Sequence, residues 1–290
     1  MSVLELFSGT RSVGKVCDEL GLKSVSVDLI LDADHKVDIM EFDYKQYSQD
    51  HFDIIWASPP CTAYSNLQNS WLGRERNGKL FTRERLEEDR KEADKLVLKT
   101  LEIIDYFKPT LWFLENPQTG QLKNRIYMKD LPYYDVDYCM YSDWGYKKRT
   151  RIWTNKPFFS PKLCDGKGTC GNMIEIKTDG AVHTGYKTPI KSDTRIIHKN
   201  PIGDNDKCKR AKKQMQHKTI LGNGYEIIDG KKTICNTKEL RDNFREKKKM
   251  VNNIGIGGKD NEYQKVLKGG STNRLLRYRI PPKLIHDLLI

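Results

Sequence analysis

Three short strings in this 290-residue sequence carry side chains that could act together on an electrophile. In Ser58-Pro59-Pro60-Cys61-Thr62 a cysteine follows two prolines, directly after the apolar run 52–57. A cysteine that serves packing sits inside an apolar run. This one is presented by a stiff loop, the setting of a nucleophile. Leu114-Glu115-Asn116-Pro117 ends a second apolar run on a carboxyl group, which could hydrogen-bond or protonate an electrophile while sulfur attacks it. In Lys147-Lys148-Arg149-Thr150-Arg151 the arginines alternate, so an extended chain would point both to one side.

A fourth string, Leu4-Glu5-Leu6-Phe7-Ser8-Gly9-Thr10-Arg11-Ser12-Val13-Gly14, reads as a strand, a tight glycine turn and a helix entry. Such a turn offers backbone N–H groups and lets a ligand approach the main chain. Asp28 follows Gly9 by 19 residues at the end of the next apolar stretch, where a carboxylate can accept both hydroxyl protons of an adenosine ribose. These residues suit a nicotinamide dinucleotide and S-adenosylmethionine equally.

The elements that must hold these strings alternate between two periodicities. Residues 3–7, 23–28, 52–57, 110–114 and 152–153 read as strands. Residues 16–20 and 83–107 read as helices, the second with an apolar stripe through Leu86, Ala93, Leu96, Val97, Ile103, Ile104 and Phe107. This alternation predicts an α/β fold with a parallel sheet and ligands at the carboxyl ends of its strands. After residue 156 short strand-like pieces at 173–176 and 225–228 are separated by Gly-, Lys- and Asn-rich loops, with basic runs at 207–218 and 241–249. The last segment, Ile280-Pro281-Pro282 with Leu284, Ile285, Leu288 and Leu289, reads as an amphipathic helix started by proline.

Composition narrows the function classes. Apolar residues make up 37% of the chain, enough for a core, while the mean hydropathy of −0.70 and the lack of a long apolar run argue against a membrane span. Seven cysteines without framework spacing, and a start that runs straight into a strand rather than a cleavable secretory signal, predict reduced thiols in the cytoplasm or nucleus. Residues 1–155 hold 22 basic and 25 acidic side chains, and residues 156–290 hold 29 and 14. The +12 excess thus belongs to the C-terminal half, as a polyphosphate partner requires.

Taken in order, Glu5-Leu6-Phe7-Ser8-Gly9, Asp28, Asp38-Ile39, Pro60-Cys61, Glu115-Asn116 and Arg149-Thr150-Arg151 resemble the cytosine-C5 DNA methyltransferase family, especially the short enzymes of phages and large DNA viruses. The resemblance is dense over 1–157 and loose over the final helix. It implies a Rossmann-like S-adenosylmethionine-dependent methyltransferase sheet with helices on both faces, plus a small, loop-rich basic target-recognition domain. The expected division is a catalytic and cofactor domain at 1–157, target recognition at 158–268, and a C-terminal helix at 269–290 packing back on the first.

The resemblance also assigns roles. Cys61 would attack C6 of a flipped-out cytosine. Glu115 would hold N3 and the exocyclic amine, Asn116 would position that loop, and Arg149 and Arg151 would fix the base and its phosphate. S-adenosylmethionine would lie against Phe7, Ser8, Gly9, Thr10, Arg11, Ser12, Asp28, Leu29, Asp38, Ile39, Ser58 and Pro60. The partner would be double-stranded DNA, met by Ser65, Arg74, Arg76 and Lys79 in a mobile basic lid over 65–85, and by Lys209, Arg210, Lys212 and Lys213. A monomer inside an infected host cell is expected, with room for a companion restriction endonuclease.

The departures from the family pattern are Arg11 in place of a glycine, Thr62 after Pro-Cys, Lys147 where a glutamine is common, and a missing Gly-Asn motif near the end. Arg11 would either pair with the cofactor's carboxylate or crowd it. The alternatives are a tRNA cytosine-C5 methyltransferase, a silent nucleic-acid-binding relative and a nicotinamide oxidoreductase; the last leaves Cys61 and Glu115 without a role. Cys164 and Cys170, with Cys208 and Cys235, could suggest zinc, but the five-residue gap and the lack of a second paired cluster predict unligated thiols and no metal.

Overall fold

Strand side chains alternate between two faces, and here each face meets a different helix. A computed structural model describes residues 1–178, 193–198, 225–228, 231–234 and 279–290. The chain divides into two bodies, Met1–Asn172 with Tyr278–Ile290, and Met173–Arg277. In the first, β1 (Ser2–Leu6), β2 (Lys23–Asp28), β3 (His35–Lys36), β4 (Ile54–Ala57), β7 (Leu111–Pro117), β8 (Tyr133–Asp137) and β9 (Arg149–Thr154) form one sheet in the order β3-β2-β1-β4-β7-β9-β8. Val3, Ile54, Trp56 and Phe113 share a core with α1 (Ser12–Leu20) and α3 (Pro282–Leu289). Leu4, Leu6, Ile55 and Ala57 share the other with α2 (Arg83–Phe107). The body is therefore α/β with helices on both faces. Leu284, Ile285, Leu288 and Leu289 of α3 are buried, each worth about 1.5–3 kcal/mol of transfer free energy.

The five strands β3, β2, β1, β4 and β7 are parallel, whereas β9 is antiparallel to both β7 and β8. The sheet is thus mixed, not parallel throughout as the alternation predicts. An antiparallel partner needs no crossover helix, which is why no helical period precedes β9. β7 also runs through Pro117, so Glu115 lies in the ladder opposite Ile152 rather than beyond the strand. β8 shows no apolar pattern because Asp135 and Asp137 are paired across the ladder with Arg151 and Arg149.

Between β4 and α2, the hairpin strands β5 (Glu75–Arg76) and β6 (Lys79–Leu80) join through Asn77 and Gly78, at φ 54° and 72°, the left-handed pair of a tight hairpin turn. In the second body the described strands pair as two antiparallel hairpins, β10 (Met173–Thr178) with β11 (Asp193–His198) and β12 (Tyr225–Ile228) with β13 (Lys231–Ile234). Lys209, Arg210, Lys212, Lys213 and both basic runs lie outside the described residues.

The joint between β1 and α1 is held from inside the sheet. Arg11, at the N-cap, makes no side-chain cap bond. Instead the Glu5 carboxylate, 3% exposed, accepts from the backbone N–H groups of Val13 at 3.0 Å and Gly14 at 2.9 Å. These are two of the donors that a helix start leaves without intrahelical partners. Burial pushes the Glu5 carboxyl from its ordinary 4.5 up to about 7, against the two amides and the Arg11 guanidinium that draw it down.

A proton held more tightly in the folded state favours folding at low pH. The contribution is whole below pH 4.5 and is lost as pH rises to about 7. Across that window the wild type is expected to lose about 3 kcal/mol relative to Glu5→Gln, which cannot ionise there. Urea unfolding at several pH values checks this, and parallel stability curves for the two proteins would sink it.

Candidate active site

The strand order reverses between β1 and β4, since the chain builds β2 and β3 on one side and returns to build β4 on the other. At such a switch point the two following loops diverge and leave a crevice at the carboxyl ends. The loops here are residues 7–11 and 58–65. In the first, Phe7, Gly9 and Arg11 have φ values of 57°, 53° and 54°. This explains why glycine suits the position of Arg11, and the arginine adopts the same left-handed backbone at a steric cost.

The Arg11 side chain turns back over the helix start. A Cβ on Gly14 would lie 3.1 Å from its Nε and Nη2 and 3.2 Å from Glu5 Oε2. Asp28 ties the turn to the next loop: Oδ2 accepts from Gly9 N at 2.8 Å, and Oδ1 from Ile30 N at 2.9 Å and Leu31 N at 2.8 Å. Leu29 is 59% exposed beside it. Asp38 is half-buried with Oδ1 on Met40 N at 2.9 Å, and Ile39 is buried. Ser12 Oγ accepts from Ile280 N at 3.1 Å and lies 3.3 Å from Thr10 Oγ1, so it helps to seat the C-terminal segment. Ser8 Oγ is buried and has no hydrogen-bond partner among the described residues.

The Cys61 loop is clamped from three directions. Asn116 Nδ2 donates to Pro59 O at 3.0 Å, and Asn116 itself is 1% exposed. From the loop after β7, Gln121 N donates to Tyr64 O at 2.8 Å, while Asn66 Nδ2 donates to Thr119 O at 2.6 Å. From α2, Asp94 accepts from the hydroxyls of Tyr64 at 2.8 Å and Tyr127 at 2.5 Å and pairs with Arg125, which also pairs with Glu87 at 2.6 Å. Tyr64 is fully buried three residues after Cys61. A thiol on a loop so fixed is held at one place beside the crevice.

Glu115 is 6% exposed, and its Oε1 accepts from Tyr138 Oη at 2.8 Å and Lys148 Nζ at 3.1 Å. The Lys148 ammonium also lies 4.7 Å from the centre of the Tyr138 ring. Burial pushes the Cys61 thiol above its ordinary range and Glu115 adds to the rise, while Lys148 draws it down. Cys61, Glu115 and Lys148 thus form one electrostatic group. Lys148 and Tyr138 carried no role in the sequence reading. Lys148 hid among neighbouring cations, and Tyr138 is brought in by a turn with no motif of its own.

Arg149 and Arg151 do share one side of β9, but each is engaged by an acid of β8. Arg149 donates from Nε at 3.1 Å and Nη2 at 2.9 Å to Asp137, and Arg151 from Nε at 2.7 Å and Nη2 at 2.9 Å to Asp135. Arg151 also lies 3.5 Å from the Tyr133 ring centre. The ladder pairs Asn116 with Arg151 and Glu115 with Ile152, so the guanidiniums and the Glu115 carboxyl leave the sheet on opposite faces.

In the segment expected as a lid, the side chains divide. Arg74 and Lys79 are exposed, while Arg76 donates to Gln68 Oε1 at 2.9 Å and lies 5.3 Å from the ring centre of fully buried Phe81. Ser65 Oγ accepts from Leu67 N at 3.3 Å and caps a helical turn.

Residues 30–127 match the model of the C-5 cytosine-specific DNA methylase family. The chain is 46% identical over 182 residues to a protein named "Probable DNA (cytosine-5)-methyltransferase" from Frog virus 3 (isolate Goorha), a match covering 62% of this chain and 82% of that one. Among solved structures, Schizosaccharomyces pombe Dnmt2 methyltransferase is 10% identical with a TM-score of 0.43 over 100% of this chain and 96% of that one. A Spodoptera frugiperda DNMT2 mutant is 16% identical with a TM-score of 0.34, spanning 53% of this chain and about half, 49%, of that one.

The electrostatic group makes a signed prediction. Lys148→Gln removes the cation that favours the thiolate, so the pH midpoint of Cys61 alkylation should move up. Glu115→Gln removes the opposing charge and should move it down. Iodoacetamide labelling of Cys61 against pH, read by peptide mass spectrometry, checks both directions. Shifts of the same sign would refute the grouping.

Proposed function

The chain belongs to the C-5 cytosine-specific DNA methylase family, and from that premise we propose that it methylates C5 of cytosine in double-stranded DNA through a covalent adduct at Cys61. The observation that carries this reading is the grouping at the switch point: a clamped cysteine after β4, electrostatically coupled to a buried glutamate on β7, beside the glycine turn after β1.

Chemistry explains why both groups are needed. Cytosine is a poor electrophile, so attack at C6 requires that charge building on the ring be met at N3 as the C–S bond forms. Cys61 supplies the sulfur, its proton passing to solvent as the thiolate forms. Tyr138 and Lys148 both hold Oε1 of Glu115. Oε2 is assigned to N3, passing it a proton taken from solvent as the C–S bond forms and recovering that proton when the C–S bond breaks, while the exocyclic amine donates to the same carboxyl group. Electron density then accumulates at C5. After methylation the C5 proton is lost to a base, the C–S bond breaks, and the thiolate and the aromatic ring are restored. The target atoms are stacked in a duplex, so the base must be extruded at a cost of a few kcal/mol. Arg149 and Arg151, oriented by Asp137 and Asp135, leave the sheet on the face opposite Glu115, so they are assigned to the phosphate backbone of the flipped nucleotide rather than to its base. Ser65, Arg74 and Lys79 are assigned to the neighbouring backbone.

The residues after β1 suit S-adenosylmethionine. The buried hydroxyl of Ser8 lacks a partner among the described residues, Asp28 presents a carboxylate at the end of β2, and Leu29 offers an exposed apolar side chain next to it. Phe7, Gly9, Thr10, Asp38, Ile39, Ser58 and Pro60 complete the proposed lining. When bound there, the cofactor supplies an electrophilic methyl group for the electron-rich C5.

The test is transfer of labelled methyl groups from S-adenosylmethionine to unmethylated mixed-sequence duplex DNA, with Cys61→Ala run in parallel. Label is expected as 5-methylcytosine in the DNA, with at least a thousandfold loss in the variant, as removal of a covalent nucleophile entails. Label on folded RNA alone would replace the substrate assignment, and retained transfer by Cys61→Ala would overturn the mechanism.

A further inference from the structure

Cys139 and the pair Cys164 and Cys170 come from turns remote in the chain, yet the three sulfur atoms lie within 4.8 Å of one another. None is in a disulfide, and three thiols cannot pair off without leaving one over. Cys139 sits in the single helical turn that closes β8, at Tyr138–Met140. Cys164 and Cys170 flank a turn containing Gly166 and Gly168, with φ values of 76° and 109°. Within it, Gly166 N–H points at Cys164 Sγ at 3.4 Å. Amide-to-sulfur bonds of this kind favour a thiolate over a thiol.

The polar surroundings also fix the three backbones. Asn172, 3% exposed, donates from Nδ2 to Cys139 O at 2.8 Å and Cys170 O at 3.1 Å, tying the two arms together. Its Oδ1 accepts from Gly145 N at 3.1 Å. Cys164 is held at both ends of its peptide. Its N–H donates to Asp137 Oδ2 at 2.9 Å, and its carbonyl accepts from Lys147 Nζ at 3.0 Å. Cys139 and Cys164 are buried and Cys170 half-buried, so the cluster is shielded but has one side from which an ion can enter.

We propose that Cys139, Cys164 and Cys170 form a structural zinc site, its fourth position filled by a ligand that these three do not supply. Sulfurs about 2.3 Å from a tetrahedral zinc stand roughly 3.8 Å apart, a spacing that the observed grouping needs only a small contraction to reach. Three soft thiolates select zinc over magnesium or calcium, and binding releases their protons to solvent. The site clips residues 164–172 to the end of β8. That end carries Tyr138, which reaches Glu115, and Asp137, which reaches Arg149. The linear spacing of Cys164 and Cys170 argued against a metal, because the third ligand comes from a turn remote in the chain.

The test needs no knowledge of the reaction. The full chain, purified with reductant and without added chelator, is expected to carry about one zinc per molecule by elemental mass spectrometry. A thiol-specific mercurial should release it, and replacement by cobalt should give the visible absorption of tetrahedral thiolate coordination. Cys139→Ser, Cys164→Ser and Cys170→Ser should each lose most of the metal, while Cys61→Ser keeps it. Should the serine variants fail to fold, cobalt titration of the wild type decides alone. Metal well below stoichiometry with no cobalt–thiolate absorption would overturn the site, as would zinc retained by all three variants or a disulfide among these cysteines under reducing conditions.

Discussion

A carboxylate inside the sheet organises the end of the molecule where chemistry is expected. Glu5 reaches out of β1 to two amides at the start of α1, and burial raises its carboxyl to about 7. An unpartnered carboxyl in that place would be costly, and so would a helix start with its donors unmet. Each cancels the other's cost only if the intervening loop turns sharply enough to bring Val13 and Gly14 back over Glu5. That requirement accounts for the left-handed residues Phe7, Gly9 and Arg11 and for the closeness of Gly14 to the Arg11 side chain. With the turn so constrained, Gly9 N meets Asp28, and the loops after β1 and β2 become one piece.

The second loop at the crevice is stiff for a different reason. Two prolines limit its backbone, but its position is set by partners far along the chain: Asn116 on β7, Thr119 and Gln121 beyond it, and Asp94 on α2. Asp94 joins Tyr64, Tyr127 and Arg125 in one largely buried network, in which removal of any member leaves polar atoms without partners. Such a network tolerates little displacement, and a nucleophile benefits because reacting atoms must meet within a fraction of an ångström.

Charge is arranged in pairs across the antiparallel edge. Asp135 and Asp137 on β8 face Arg151 and Arg149 on β9, so four ionic groups sit in a sheet that would otherwise carry apolar side chains. Arg149 is held against a fully buried acid, Asp137, which also receives the Cys164 amide and lies 3.4 Å from the Lys147 ammonium. The same acid therefore connects Arg149 to the proposed zinc site.

The amino-acid sequence by itself determined the α/β class, the bounds of β2 and α2, and the proline-bearing cysteine loop that follows β4. These follow from local rules: apolar periodicity, proline stops and a stiff cysteine loop. Only the tertiary structure decided the antiparallel β9, the acid-bearing strand β8, the pairing of Lys148 and Tyr138 with Glu115, and the meeting of Cys139 with Cys164 and Cys170. All four depend on contacts between residues distant in the chain. An aspartate that is satisfied only by a cross-strand arginine looks like a loop residue in one dimension, and a ligand contributed by a remote turn leaves no spacing to read.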